Sequence, residues 1–375
     1  MLNELIIPAS ELEVVKQFKG GSDQLGHYLK DQVWDTRNLP GVAILGIPEG
    51  RGSVCEDVAL APDSIRYHLY RLAKFSPEFQ IVDLGNVRCG KSTKDTYAAV
   101  RMVAEELSAL NIPVLILGGG QDTTVPIIAG FNSQQFKLII VDDRVDNSSL
   151  ENSPADESYI NNLPNGTSLA VIAGQSYFFG QNDHELFGEG FNGEIITLGN
   201  LRSDANEMEP LIRNSNLVSF DFGSLKFSEA PGQYRISPNG LSGEEACQIS
   251  WYSGISTSPV WFGIFGYSPT SDITTSGAMM AAQICWYFFN GITKRLDTEP
   301  VDEATDFEAY PVAVDGLDED ITFLRHPVSH RWWMEVPSDD CTNFPVRVPC
   351  SKKDYHIACK KEIPERWWKY FNKIY

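Results

Sequence analysis

The 375-residue sequence has no apolar run long enough for a membrane helix. Its longest runs, Pro259–Pro269 and Gly277–Ile292, fall short of the ~18 to 20 residues that a span requires, so no membrane insertion is expected. Basic charge is scarce too. Thirty Lys and Arg stand against fifty Asp and Glu, a formal charge of −20. A phosphate backbone would be repelled without a strong local basic patch, so no nucleic-acid partner is expected. The seven cysteines are an odd count without a paired framework, which fits reduced thiols rather than disulfides. The first fifteen residues lack the basic start and apolar run of a secretory signal and are too acidic for a transit peptide, so a cytoplasmic location is expected. No nucleotide loop is recognisable either. Gly118–Gly120 lacks the Gly-x-Gly-x-x-Gly spacing, and Glu49–Gly52 lacks the Walker lysine.

A 42% hydrophobic content over this length suffices for a large core. Short apolar runs recur at Val42–Gly46, Ile112–Leu117, Leu138–Val141, Leu169–Ala173, Glu194–Leu198, Leu217–Phe220 and Val260–Phe265. Each is followed by a glycine or acidic turn and a helix-like stretch, the rhythm of a parallel sheet with crossover helices. Helical periodicity covers Thr96–Leu110 and Gly243–Ser253, the latter opening at Ser242 with Glu245 three residues on, and 277–292 reads as a buried helix. These elements predict a three-layer α/β fold with a mostly parallel sheet flanked by helices over residues 1–297. An acidic linker from about Thr298 leads into a C-terminal aromatic-rich extension, 298–375. Its runs Arg331-Trp332-Trp333-Met334 and Arg366-Trp367-Trp368-Lys369-Tyr370 have a large apolar area and poor periodicity. Such aromatics either staple a tail onto the main domain or face a protein partner. Cys341, Cys350, His356 and Cys359 do not have the close paired spacing of a zinc site and are read as structural.

Three segments place polar residues directly after predicted strands, where open parallel sheets put their ligands. They are Leu117-Gly118-Gly119-Gly120-Gln121-Asp122, Val141-Asp142-Asp143-Arg144-Val145-Asp146 and Ser219-Phe220-Asp221-Phe222-Gly223-Ser224, the last running on to Glu229-Ala230-Pro231-Gly232. Together they resemble the arginase, or ureohydrolase, family, which includes agmatinase and formimidoylglutamase. That family carries Gly-Gly-Asp-His or Gly-Gly-Gly-His, then Asp-Ala-His-x-Asp, then Ser-x-Asp-x-Asp with a nearby Ala-Pro-Gly. Gly46-Ile47-Pro48 with Gly52, Ala61-Pro62-Asp63-Ser64-Ile65-Arg66 and Gly240-Leu241-Ser242 extend the resemblance in order over about 41–292.

The resemblance implies an arginase-like fold and two Mn²⁺ ions, held by carboxylates and two histidines, whose bridging hydroxide attacks a guanidinium or formimino carbon. Against that pattern the sequence keeps Asp142, Asp146 and Asp221. Gln121 stands at the first histidine position, Arg144 at the second, and Gly223 at the second aspartate of Asp-x-Asp. The family's carboxylate for the substrate falls on Gly266 if Pro269 is the anchor. A guanidinium has no lone pair for a metal, so Arg144 cannot be a ligand. Three carboxylates converging without a cation would repel by ~3 kcal/mol per pair at about 5 Å and an effective dielectric of about 20. Arg144 is therefore expected to neutralise them, with Lys226 as a second internal cation and Asp143 facing away.

The leading expectation is a catalytically inactive, ureohydrolase-like protein without cofactor, whose relic site comprises Gln121, Asp142, Arg144, Asp146, Asp221 and Gly223. The alternative is a hydrolase of linear amidine C–N bonds with an altered centre, Mn or Mg, on Asp142, Asp146 and Asp221 with Asp122. A third reading keeps the pocket as a small-molecule sensor. Asn182, Asp183 and His184 lie where the family's substrate loop falls and are candidate substrate contacts. The resemblance also implies a homo-oligomer.

Overall fold

In the computed structural model the apolar runs assemble into a nine-stranded sheet flanked by helices. The structure describes residues 2–29, 34, 39–133, 135–180, 183, 193–204, 207–257, 260–296, 299–300, 306–337 and 345–374. Two compact units emerge, Met1–Ser203 with Asn214–Arg295, and Asp204–Arg213 with Leu296–Tyr375. Nothing in the sequence pattern marks 204–213 as belonging with the C-terminal residues.

The strands of the first unit are β1 (Ile6–Ile7), β2 (Val42–Ile47), β3 (Ile81–Val87), β4 (Val114–Gly118), β5 (Phe136–Val141), β6 (Thr167–Gly174), β7 (Gly193–Thr197), β8 (Leu217–Asp221) and β9 (Trp261–Phe265). They lie in the order β1-β3-β2-β4-β9-β8-β5-β6-β7. All pairings are parallel except β1 with β3. β2, β4, β8 and β9 are buried along their whole length, which is why their sequences run apolar without alternation. β3 is buried as well, yet Asp83 and Asn86 interrupt its apolar pattern and hide it from the sequence. Both serve Arg66, which is fully buried: Nε donates to Asp83 Oδ2 at 2.8 Å, Nη1 to Asn86 Oδ1 at 2.6 Å and Nη2 to the Gly85 carbonyl at 2.8 Å. Gly85 allows this with φ of +99°, where the register between β2 and β3 shifts.

The helices follow from their caps. Ser92 and Asp95 form a capping box that starts Thr93–Ser108 three residues earlier than periodicity alone suggests, and Ser242 with Glu245 forms the expected capping box at the start of Gly243–Gly254. The apolar stretch near 277–292 is the helix Ser276–Thr293.

The second unit has secondary structure that the sequence did not reveal. β10 (Glu308–Val312), β11 (Ile321–Arg325), β12 (Trp332–Val336) and β13 (Val346–Cys350) form an antiparallel sheet in that order, joined by helices Met208–Ile212, Lys352–Ala358 and Glu365–Ile374. Trp332, Trp333 and Met334 are consecutive and all buried, so no period-2 pattern appears. The aromatics build this unit's own core: Tyr355 stacks on Trp332 at 5.0 Å, and Trp367 is buried with its indole N–H donated to the Glu335 carbonyl at 3.1 Å. Arg213 is buried in the same unit, pairing with Glu209, donating to the Trp332 carbonyl at 2.8 Å and lying over the Trp333 ring at 4.5 Å. Cys350 lies in this core, Cys359 is exposed, and Cys341 is outside the described residues.

Candidate functional site

The strand order sets β4, β9, β8 and β5 side by side although β4 and β5 are consecutive in the chain. The sheet therefore reverses its winding there, and the carboxyl ends of these strands converge on one rim, the usual place for a ligand crevice. On that rim lie Gln121 and Asp122 after β4, Gly266 after β9, Asp221 ending β8, and Asp142 to Asp146 after β5.

Asp142, Asp146 and Asp221 are all buried and are brought together. Burial, reinforced by Asp221, Asp146 and Asp143, pushes Asp142 well above the ordinary carboxylate range. Burial lifts Asp146 to about 6, against the opposing pull of the Arg235 charge. Burial together with Asp146 lifts Asp221 to about 7. Burial and mutual repulsion thus both favour the protonated forms of these carboxyls.

The cation at the cluster is Arg235, not Arg144. Arg235 Nη1 lies 3.3 Å from Asp146 Oδ1 and Nη2 donates to Glu157 Oε1 at 2.7 Å. Asp146, Tyr234, Asp221 and Asp142 raise its pKa against the cost of burial. Arg144, expected to neutralise the three carboxylates, instead turns to its neighbour: Nε donates to Asp143 Oδ1 at 2.8 Å and the guanidinium lies 4.1 Å over the Phe178 ring. A side chain one residue from its partner closes that pair locally, so the ion pair of Arg144 goes to Asp143. Asp143 is buried in the same pair. Lys226, the expected second cation, pairs with Glu229 at 3.4 Å and is partly exposed.

The remaining positions show how the rim has closed. Asp221 accepts from the Gly223 N–H and so caps the turn Phe222–Ser224 instead of pointing a free carboxylate into the crevice. A Cβ at Gly223 would meet Asp221 Oδ1 at 2.8 Å, so an aspartate there would force the carboxylate aside. Gly266 has φ of +74°, and a Cβ on it would stand 3.2 Å from both Asp221 oxygens, so any side chain there would be strained and would need Asp221 to give by a few tenths of an ångström. Gln121 donates through Nε2 to Ser219 Oγ at 3.2 Å, while its buried Oε1 has no partner. Asp122 accepts from the Tyr97 hydroxyl, is lifted by burial to about 6, and leaves Oδ1 unpartnered. Asp183 is buried and bonded locally, accepting from the Gly180 N–H at 2.7 Å; Asn182 and His184 lie outside the described residues.

Arg235, Tyr234, Tyr159, Asp156 and Glu157 were not recognised from sequence. Arg235 lies 89 residues from Asp146 and has no motif of its own. The only signal was its place three residues after the Ala230-Pro231-Gly232 match.

These residues do not fit a pair of manganese ions. Among the described residues no group of three or more His, Cys, Asp and Glu is arranged to hold a metal ion. The chemistry of the donor set explains this: Asp146 is engaged by a guanidinium, Asp221 by its own turn, and no imidazole stands at either histidine position.

The nine-stranded sheet flanked by helices, with buried carboxylates on this rim, is an arginase-like fold. The chain belongs to the Arginase family, whose model matches residues 40–290. It is similar to formimidoylglutamase of Vibrio vulnificus (strain CMCP6), 23% identical over 318 residues that span 74% of this chain and 93% of the relative. Formimidoylglutamase of Bacillus subtilis (strain 168) is 22% identical over 290 residues, spanning 69% and 89%. Among solved structures, Trypanosoma cruzi formiminoglutamase with Mn²⁺ superposes with a TM-score of 0.62 at 19% identity, covering 68% of this chain and 95% of that one. B. subtilis formimidoylglutamase superposes at 0.65 with 20% identity, covering 74% and 95%. These structural likenesses establish the shared fold.

Proposed function

We propose that this protein is a catalytically inactive member of its family, in which the relic site Gln121, Asp142, Arg144, Asp146, Asp221 and Gly223 no longer carries chemistry and the protein has a structural or interaction role. The observation that carries the reading is the Arg235 guanidinium bound to Asp146 and Glu157. Metal-assisted hydrolysis needs a cation with open coordination positions that lowers the pKa of a bound water. A guanidinium supplies charge but neither a coordination position nor a nucleophile. The cluster is thereby neutralised without chemistry.

Two unpartnered oxygens, Gln121 Oε1 and Asp122 Oδ1, favour a second reading in which an altered, oxygen-only centre hydrolyses linear amidine C–N bonds. One experiment separates the two. Metal content is measured on protein purified with Mn²⁺ present, and ammonia, urea or formamide release is followed from formimidoylglutamate, agmatine and arginine. The first reading expects substoichiometric metal and no turnover; stoichiometric Mn²⁺ with metal-dependent turnover would overturn it. The last helix of the C-terminal unit, Glu365–Ile374, exposes Trp368 and is the candidate contact for a protein partner. A cytoplasmic location and a homo-oligomer belong to the same reading.

A further inference from the structure

We infer that Arg235 is a built-in plug that keeps divalent cations out of the carboxylate cluster, and that removing its guanidinium creates a site for one hard divalent ion. The inference rests on the inactive reading above and assigns the residue that enforces it. Beside the cluster stands a buried hydroxyl that no group among the described residues satisfies. Tyr159 is 1% exposed, its hydroxyl has no hydrogen-bond partner among the described residues, and Asp146, Asp142 and Asp221 act on it electrostatically. Buried polar groups are seldom left unpaired, so an orphan hydroxyl beside three carboxylates marks room for a positively charged or water-bearing occupant. All the available atoms are oxygens, a set that suits a hard ion such as Mn²⁺ or Mg²⁺ and holds one rather than two without imidazole.

Arg235 is placed to prevent this. Its charge lies against Asp146 and Glu157, and its side chain is 21% exposed, so it closes the cluster on the solvent side. Its guanidinium also lies 4.9 Å over the ring of Tyr234. The loop that carries it is tied down independently: Gln233 Nε2 donates to the Leu225 carbonyl at 2.7 Å and to the Phe222 carbonyl at 3.3 Å, and Phe227 N donates to the Ser237 carbonyl at 3.0 Å. Truncating Arg235 therefore removes the charge and leaves the backbone in place.

The test uses the full chain, stripped with chelator and titrated with Mn²⁺, free Mn²⁺ being read by electron paramagnetic resonance and binding heat by calorimetry. Wild type is expected to show no saturable binding up to about 1 mM, whereas Arg235→Met binds one Mn²⁺ per chain at least about tenfold more tightly, since a full positive charge no longer competes at the same carboxylates. Arg235→Lys keeps the charge and is expected to behave as wild type. Adding Asp146→Asn to Arg235→Met should abolish the new binding. Circular dichroism checks each fold, and Arg235→Gln, which still donates to Glu157, replaces Arg235→Met if that variant does not fold. Mn²⁺ binding unchanged from wild type in the folded variant, or retained after Asp146→Asn, overturns the inference and leaves the inactive reading standing. Two Mn²⁺ bound to wild type overturns both.

Discussion

Replacing Asp221 by Asn is expected to stabilise the protein at pH 8, although the residue lies at the centre of the candidate site. Asp221 is raised from 3.8 to about 7 by burial and by Asp146, with Arg235 and the Gly223 N–H pulling the other way. The other groups facing it are Asp142, Asp143, Tyr159 and Tyr234. Because the folded value lies above the unfolded one, the unfolded chain releases this proton first. The stabilising contribution is fully present below about pH 4, falls as pH rises, and is lost above about 7. A shift of about three units corresponds to about 4 kcal/mol between those limits. Asn has no proton to lose and its Oδ1 can still accept from Gly223, so most of that difference should appear as a gain at pH 8 and vanish at pH 4. Urea unfolding followed by tryptophan fluorescence at the two pH values measures it. An Asn variant less stable than wild type at pH 8, or a gain that persists undiminished at pH 4, would refute the argument.

Arg66→Ala is expected to cost about 3–5 kcal/mol, because it leaves the Asp83 carboxylate buried without its ion pair; a urea-midpoint change equivalent to under about 1 kcal/mol would show that the pair is not what holds β3 in place. Gly266→Ala should cost about 1–3 kcal/mol from its positive φ and the approach to Asp221, read as a lowered melting temperature, and an unchanged value would contradict the crowding described. Trp367→Ala should remove about 3–5 kcal/mol from the C-terminal unit. Hydrogen exchange should then accelerate in β12 and β13 while β4 and β8 keep their protection, and equal loosening of both units would refute their separate cores.

Seven of the nine strands in the main sheet and its long helices were legible because buried parallel strands leave uninterrupted apolar runs and because Ser242 with Glu245 marks a helix start locally. β3 was not, since its polar residues make sense only once Arg66 folds onto them from the helix Ala61–Leu69. In the C-terminal unit the aromatic content was plain but the four strands were not, because three consecutive buried residues in β12 erase the alternation that identifies a strand.

The substitutions at Gln121, Arg144 and Gly223 are facts of the sequence alone, and so is the family resemblance carried by the ordered motifs. Which cation answers the carboxylates was decided only by the tertiary structure. Arg144 had the right place in the motif but closes on its neighbour Asp143, whereas Arg235 arrives from a loop 89 residues away. Charge pairing depends on distance in space, and a linear motif specifies only distance along the chain.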